Sequence, residues 1–148
     1  MKKKLLLVLL LIVGLVTLTG CGKSKTDSDI TSFRFSFGGF WGQTEYNLYK
    51  EGDKVHYTAS GYNGVDLNID KKIDTSYLDK LKKVVDDKDL QDWDGYDERN
   101  DDVLDGDGFY LEIIYEDGTT VKASGSNKFP DDYDKVKEAL QNFFNEIK

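Results

Sequence analysis

The sequence predicts an α+β fold: an antiparallel sheet of about six strands with two helices packed on one face, in the order ββββ-α-ββ-α. Three observations carry this. Several stretches alternate apolar and polar residues with the period of a half-buried strand. Two others, one central and one near the C-terminus, repeat apolar residues at helical spacing. And no strand–helix–strand rhythm runs through the chain, as a parallel sheet would require.

The first strand is SFRFSF, where Phe33, Phe35 and Phe37 alternate with Ser32, Arg34 and Ser36. Gly38-Gly39 breaks it, and Phe40-Trp41-Gly42 reads as an aromatic turn or bulge. TEYNLYK and DKVHYTAS pair across Glu51-Gly52-Asp53, a hairpin signal, with Val55, Tyr57 and Ala59 inward. VDLNID supplies a fourth strand through Val65, Leu67 and Ile69. The first helix follows Asp74, Thr75 and Ser76, which offer N-cap oxygens, and its stripe is Tyr77, Leu78, Leu81, Val84 and Val85. An acidic connection spans Asp87 to Asp102. Phe109, Leu111, Ile113 and Tyr115 then alternate, Asp117-Gly118 turns the chain, and Val121 and Ala123 return inward. The second helix begins near Pro130, a residue suited to a first turn, and carries Tyr133, Val136, Leu140, Phe143, Phe144 and Ile147.

Residues 1–20 read as an address label. Lys2, Lys3 and Lys4 form a cationic start and Leu5 to Leu18 an apolar run, shorter than the ~20 residues a spanning helix needs. LTGC follows, Leu18-Thr19-Gly20-Cys21. This resembles the lipobox of bacterial lipoprotein precursors. The resemblance implies processing at Leu18, Thr19 and Gly20, cleavage before Cys21, and a diacylglyceryl thioether on Cys21, the chain's one cysteine. Two acyl chains suffice for stable anchoring. The expected organisation is a lipoprotein signal peptide at 1–20, a lipidated flexible tether at 21–29, and a single α+β domain at 30–148. Its expected place is the extracytoplasmic face of a bacterial cell membrane.

Losing residues 1–20 removes three lysines and no acid, so the formal charge moves from −8 to −11. Such a surface disfavours nucleic acid and anionic lipid and favours a basic protein partner. Between Asp92 and Asp107, eight carboxylates fall in sixteen residues. Against the calcium loop D-x-[DN]-x-[DN]-G-x5-E, Asp101, Asp105, Gly106 and Glu112 align, but Val103 takes a ligand position. A strand after Gly108 would also hold Asp107 and Glu112 ~16 Å apart. An EF-hand is therefore not expected. A looser calcium site of Asp101, Asp102, Asp105 and Asp107 is the metal candidate, and Ca2+ the one cofactor considered.

Trp41, Trp93 and Tyr96 fall in loops where no periodicity demands burial, so they are the candidate partner-binding residues. His56 is the one histidine; without a second histidine, a spare cysteine or a nucleophile motif it predicts neither zinc nor a triad. Ser126 and Asn127 are expected to cap the last helix. The run from Trp93 to Pro130, with VLDGDG, EDGT and GSNKFP, resembles small uncharacterised lipoproteins of Gram-positive bacteria, and that likeness implies an envelope setting alone. The expected function is a membrane-anchored, non-enzymatic binding domain with an acidic surface. The alternatives are a calcium-stabilised envelope module, an inhibitor or immunity-type protein against a basic enzyme, and, behind these, a small carboxylate-based hydrolase.

Overall fold

The computed structural model describes residues 25–103 and 105–147. The expected signal peptide, lipobox and Cys21 lie outside these. The described elements are β1 (Ile30–Gly39), β2 (Gly42–Glu51), β3 (Lys54–Tyr62), β4 (Asn68–Asp74), α1 (Ser76–Asp87), a 3-10 turn (Leu90–Trp93), β5 (Asp97–Arg99), β6 (Asp107–Tyr115), β7 (Thr120–Ser126) and α2 (Tyr133–Asn145). The fold is α+β, with seven strands in the order β4-β3-β2-β1-β6-β7-β5. All neighbours are antiparallel except β5 and β7, which are parallel. None of the described helices is long and apolar enough to cross a membrane.

Alternation decides which face is covered. Phe33 and Phe35 of β1, Tyr46 and Leu48 of β2, Val55 and Tyr57 of β3, Leu111 and Ile113 of β6, and Val121 of β7 all point to the helical side and are buried. Against them lie Leu78, Leu81 and Val85 of α1 and Val136, Leu140 and Phe144 of α2. Phe144 is the hinge of this packing. Its ring stacks on Tyr46 at 4.2 Å and on Tyr57 at 5.7 Å, and leans on Phe33 at 6.0 Å. The other sheet face carries polar side chains. There Tyr49 Oη and His56 Nδ1 lie 2.6 Å apart, and His56 Nε2 lies 2.6 Å from Asp70 Oδ1. His56 is thus a brace across β2, β3 and β4, and its side chain is 21% exposed.

Two elements depart from expectation. Residues 65–67 belong to the β3–β4 loop, closed by the Gly61 N–H donating to the Leu67 carbonyl (2.8 Å), so β4 starts at Asn68 and runs to Asp74. β4 is an edge strand, and Lys71 points inward from it, over the Tyr57 ring at 6.0 Å and bonded to the Ile147 carbonyl. A charge in that place discourages a further strand from adding. The seventh strand, β5, comes from inside the acidic connection; all three of its residues are exposed, so no alternation announced it.

The flexible tether expected at 21–29 is held down over its described residues, 25–29. Thr26 is clamped at two points by Gln91, its N–H donating to Oε1 (2.8 Å) and its carbonyl accepting from Nε2 (2.9 Å). Its hydroxyl donates to Asp117 Oδ2 (2.6 Å), and Lys25 pairs with Asp89. The Thr26 hydroxyl first, then the Thr119 N–H, hold the Asp117 carboxyl below its ordinary range. A depressed folded value means the stabilisation is complete above the unfolded value of ~3.9 and disappears as pH falls through the lower folded one. Amide exchange at Thr26 to Asp29 is therefore expected to stay slow at pH 5 and accelerate only in strong acid, while Asp117→Asn loosens the segment at neutral pH. Equal protection in both proteins would refute this role for Asp117.

Tyr115 supplies a second test. Its hydroxyl is buried with no hydrogen-bond partner among the described residues, and burial pushes its pKa up to about 12, aided by Asp86 and Asp117. An unsatisfied buried donor costs about 1–3 kcal/mol. Tyr115→Phe is therefore expected to be neutral or to raise the melting temperature by a few degrees. A loss above about 1 kcal/mol in denaturant titration would show that the hydroxyl is satisfied after all.

Candidate functional site: the Phe40–Trp41 end of the sheet

β1 and β2 run antiparallel until Gly39 opposes Gly42, leaving Phe40 and Trp41 as a two-residue turn. Hairpin turns of this length favour residues that accept positive φ. Here Gly38, at φ +119°, supplies the unusual backbone angle just before the turn, which frees the turn itself to carry two bulky rings. Phe40 is 65% exposed and Trp41 83%. The two rings meet edge to face at 5.1 Å, so they pack on each other rather than on the core. Tyr62, also exposed, pairs with Gln43 on the neighbouring strand.

On the opposite flank Gly39 lies against the Asp107 carboxylate and the Gly106 carbonyl, close enough that a Cβ would touch both. The end of the acidic loop, at Gly106 and Asp107, thus borders the aromatic turn. Asn127, at φ +57°, organises that loop. Its N–H donates to the Asp107 carbonyl (2.8 Å), and its Nδ2 donates to the Asn100 (3.3 Å) and Val103 (3.0 Å) carbonyls. The expected helix-capping role for Asn127 is therefore corrected: Asp132 occupies the N-cap of α2, and no side chain bonds the cap there. Gly106 is required because any Cβ would fall on the Asn127 amide.

The structure does not gather the candidate calcium ligands. Asp101 pairs with Arg99, and among the described residues no three acidic, histidine or cysteine side chains converge to hold a metal ion. The loop is shaped by an asparagine amide, not by a set of carboxylates turned inward. Asp101, Asp102 and Asp105 all face solvent.

Of the three candidate aromatics, Trp41 alone is a free platform. Trp93 is 6% exposed, wedged edge-on against Phe109 (5.5 Å) and beside Tyr133, with Nε1 donating to Asp132 Oδ1 (3.1 Å). Tyr96 is half-buried against Phe109 at 6.0 Å. Both tuck over the core edge because β5 draws the acidic connection onto the sheet. Phe40 is the residue that sequence reasoning did not single out; its place between glycines beside Trp41 was the available signal.

The described chain enters the sheet at the other end. Ile30 opens β1, and ten residues at ~3.3 Å each put the aromatic turn roughly 30 Å from it. No protein-family model matches the chain, and no curated protein matches it.

Proposed function

We propose that the chain is a lipoprotein, anchored through a diacylglyceryl Cys21 to the outer face of a bacterial cytoplasmic membrane, and that its domain is a non-enzymatic binding module. The Phe40–Trp41 turn is the contact surface, and a basic protein is the partner. The observation that carries this reading is the pair of exposed rings at the end of β1 opposite the entry of the chain. Exposed aromatic anchors are the commonest hot spots of protein interfaces. The carboxylates of Asp101, Asp102, Asp105 and Asp107 beside them would steer a cationic partner. The calcium-module alternative loses support from the Asn127-built loop.

The test uses the full chain expressed in a Gram-positive host with labelled palmitate and a photo-crosslinking residue at position 41. Label and membrane-fraction recovery are expected for the unmodified cysteine and lost in Cys21→Ala. A discrete adduct is expected from position 41, its yield falling with added salt, and none from position 72 on the polar sheet face. Unlabelled, unattached protein would refute the anchor. Equal adducts from both positions, or none from position 41, would refute the contact surface.

A further inference from the structure

A cavity of about 260 Å³ opens beside the aromatic turn, between the end of β1 and the start of α2. Pockets for drug-sized ligands run roughly 300–1,000 Å³, so this one suits a single side chain better than a whole small molecule. Phe37, Phe129 and Tyr133 contribute its aromatic wall, and Asp107, Asp131 and Asp134 its acids. Phe129 and Tyr133 are stacked at 4.5 Å, so the wall is a fixed surface rather than loose rings.

Three features say what the cavity would accept. Tyr133 is 7% exposed, and its hydroxyl, bonded to no described side chain, is not sealed in the core as that of Tyr115 is. Burial, then Asp107 and Asp134, push its pKa well above the ordinary tyrosine range, so it stays a neutral hydroxyl able to accept a hydrogen bond. The carboxylates of Asp107 and Asp131 have no ion-pair partner among the described residues, while Asp134 is held by Lys137 at 3.3 Å. Lys137 itself lies over the Tyr133 ring at 5.2 Å. The chain's own cation thus already sits on one edge of this surface. The start of α2 adds a partial positive charge of roughly half a unit. Three carboxylates against one lysine leave two negative charges, so the cavity favours a cation despite the helix.

We propose that this cavity receives an arginine side chain of the protein partner that meets the Phe40–Trp41 turn. Arginine fits the wall and the rim together: its plane stacks on aromatic rings, and its fork of N–H donors matches carboxylates. A lysine ammonium is more strongly hydrated and presents no plane to stack. The inference rests on the binding-module reading and names the chemistry of its partner.

The test is an NMR titration of the full chain in neutral detergent micelles, at fixed ionic strength, with three probes: N-acetyl-arginine methylamide, the lysine analogue, and the neutral citrulline isostere. One side chain in a small cavity binds with a dissociation constant on the order of millimolar. Saturable shifts are expected from arginine, centred on the Gly38, Asp107, Tyr133 and Asp134 amides, with none from citrulline. The exposed double variant Asp131→Asn, Asp134→Asn is expected to weaken binding about tenfold, and Lys137→Gln to strengthen it several-fold by vacating the Tyr133 ring. Citrulline equal to arginine, a response to lysine alone, or shifts scattered over the acidic surface would each overturn the proposal. The titration needs no partner, so it is separable from the crosslinking test. An adduct at position 41 without an arginine response sinks this inference alone. An arginine response without an adduct sinks the contact surface alone.

Discussion

Replacing Phe144 by alanine is expected to cost about 3–5 kcal/mol and to lower the melting temperature by more than about 10 °C. The ring is 2% exposed and touches β1, β2 and β3 at once, through Phe33, Tyr46 and Tyr57. Deleting it leaves a hole bounded by three large rings, which cannot all collapse inward because their backbones are fixed in the sheet ladder. The two stacked tyrosines lose their shared partner as well, and each such aromatic contact is worth about 0.5–1.5 kcal/mol beyond area. The denaturant midpoint should fall while its slope stays the same, as for a loss of stability without a change in exposed area. Phe40→Ala is the matched control. The same chemical change at the exposed turn is expected to alter stability by less than about 0.5 kcal/mol. Similar costs at both positions would mean that the turn is packed in solution.

Gly38→Ala should have the largest effect on the contact surface. The position needs φ +119°, where an L side chain costs about 1–3 kcal/mol, and a Cβ there would fall on the Gly42 carbonyl and within 2.9 Å of Gln43 Cα. Both obstacles are backbone, so neither can step aside without moving the turn. The expected result is a destabilised protein in which Phe40 and Trp41 no longer hold their edge-to-face pose, and an adduct yield from position 41 close to background. Gly52→Ala separates the two causes. Gly52 also has positive φ, at +64°, but a Cβ there meets open space. It should cost only about 1–2 kcal/mol and leave the adduct intact. An intact adduct in Gly38→Ala would show that the turn's geometry is not needed for contact.

The sheet was legible in the sequence wherever one face was buried. Phe33 to Phe37, Val55 to Ala59 and Phe109 to Tyr115 alternate because they must put every second side chain against the helices. Where no face is buried the signal vanishes, and β5 could not be read from three exposed polar residues. Val65 and Leu67 misled in the opposite way. Their alternation looks like a strand, but the Gly61–Leu67 hydrogen bond folds them into a loop and moves β4 three residues on. Trp41 could be placed in a loop because Gly38, Gly39 and Gly42 interrupt the alternation around it; that its ring rests on Phe40 and not on the core could not be read. Nor could the burial of Trp93, since it depends on Phe109 and Tyr133, distant in the chain. The cavity was beyond reach for the same reason: it joins Phe37 to Asp107 and Lys137, and no spacing in the sequence brings these together.

The position of β1 has a mechanical consequence. It is the central strand, paired with β2 on one side and β6 on the other along most of its length. The chain enters at its first residue, and the aromatic turn hangs from its last. A pull between the segment before Ile30 and the turn is borne first by the Thr26 contacts to Gln91 and Asp117, and once these give way it runs along β1. Hydrogen bonds perpendicular to the strand must then slide and break together in shear, not peel apart one at a time. Such a strand behaves as a tension rod through the middle of the domain. On the proposed anchoring and contact surface, load would pass through the centre of the sheet and not along an edge.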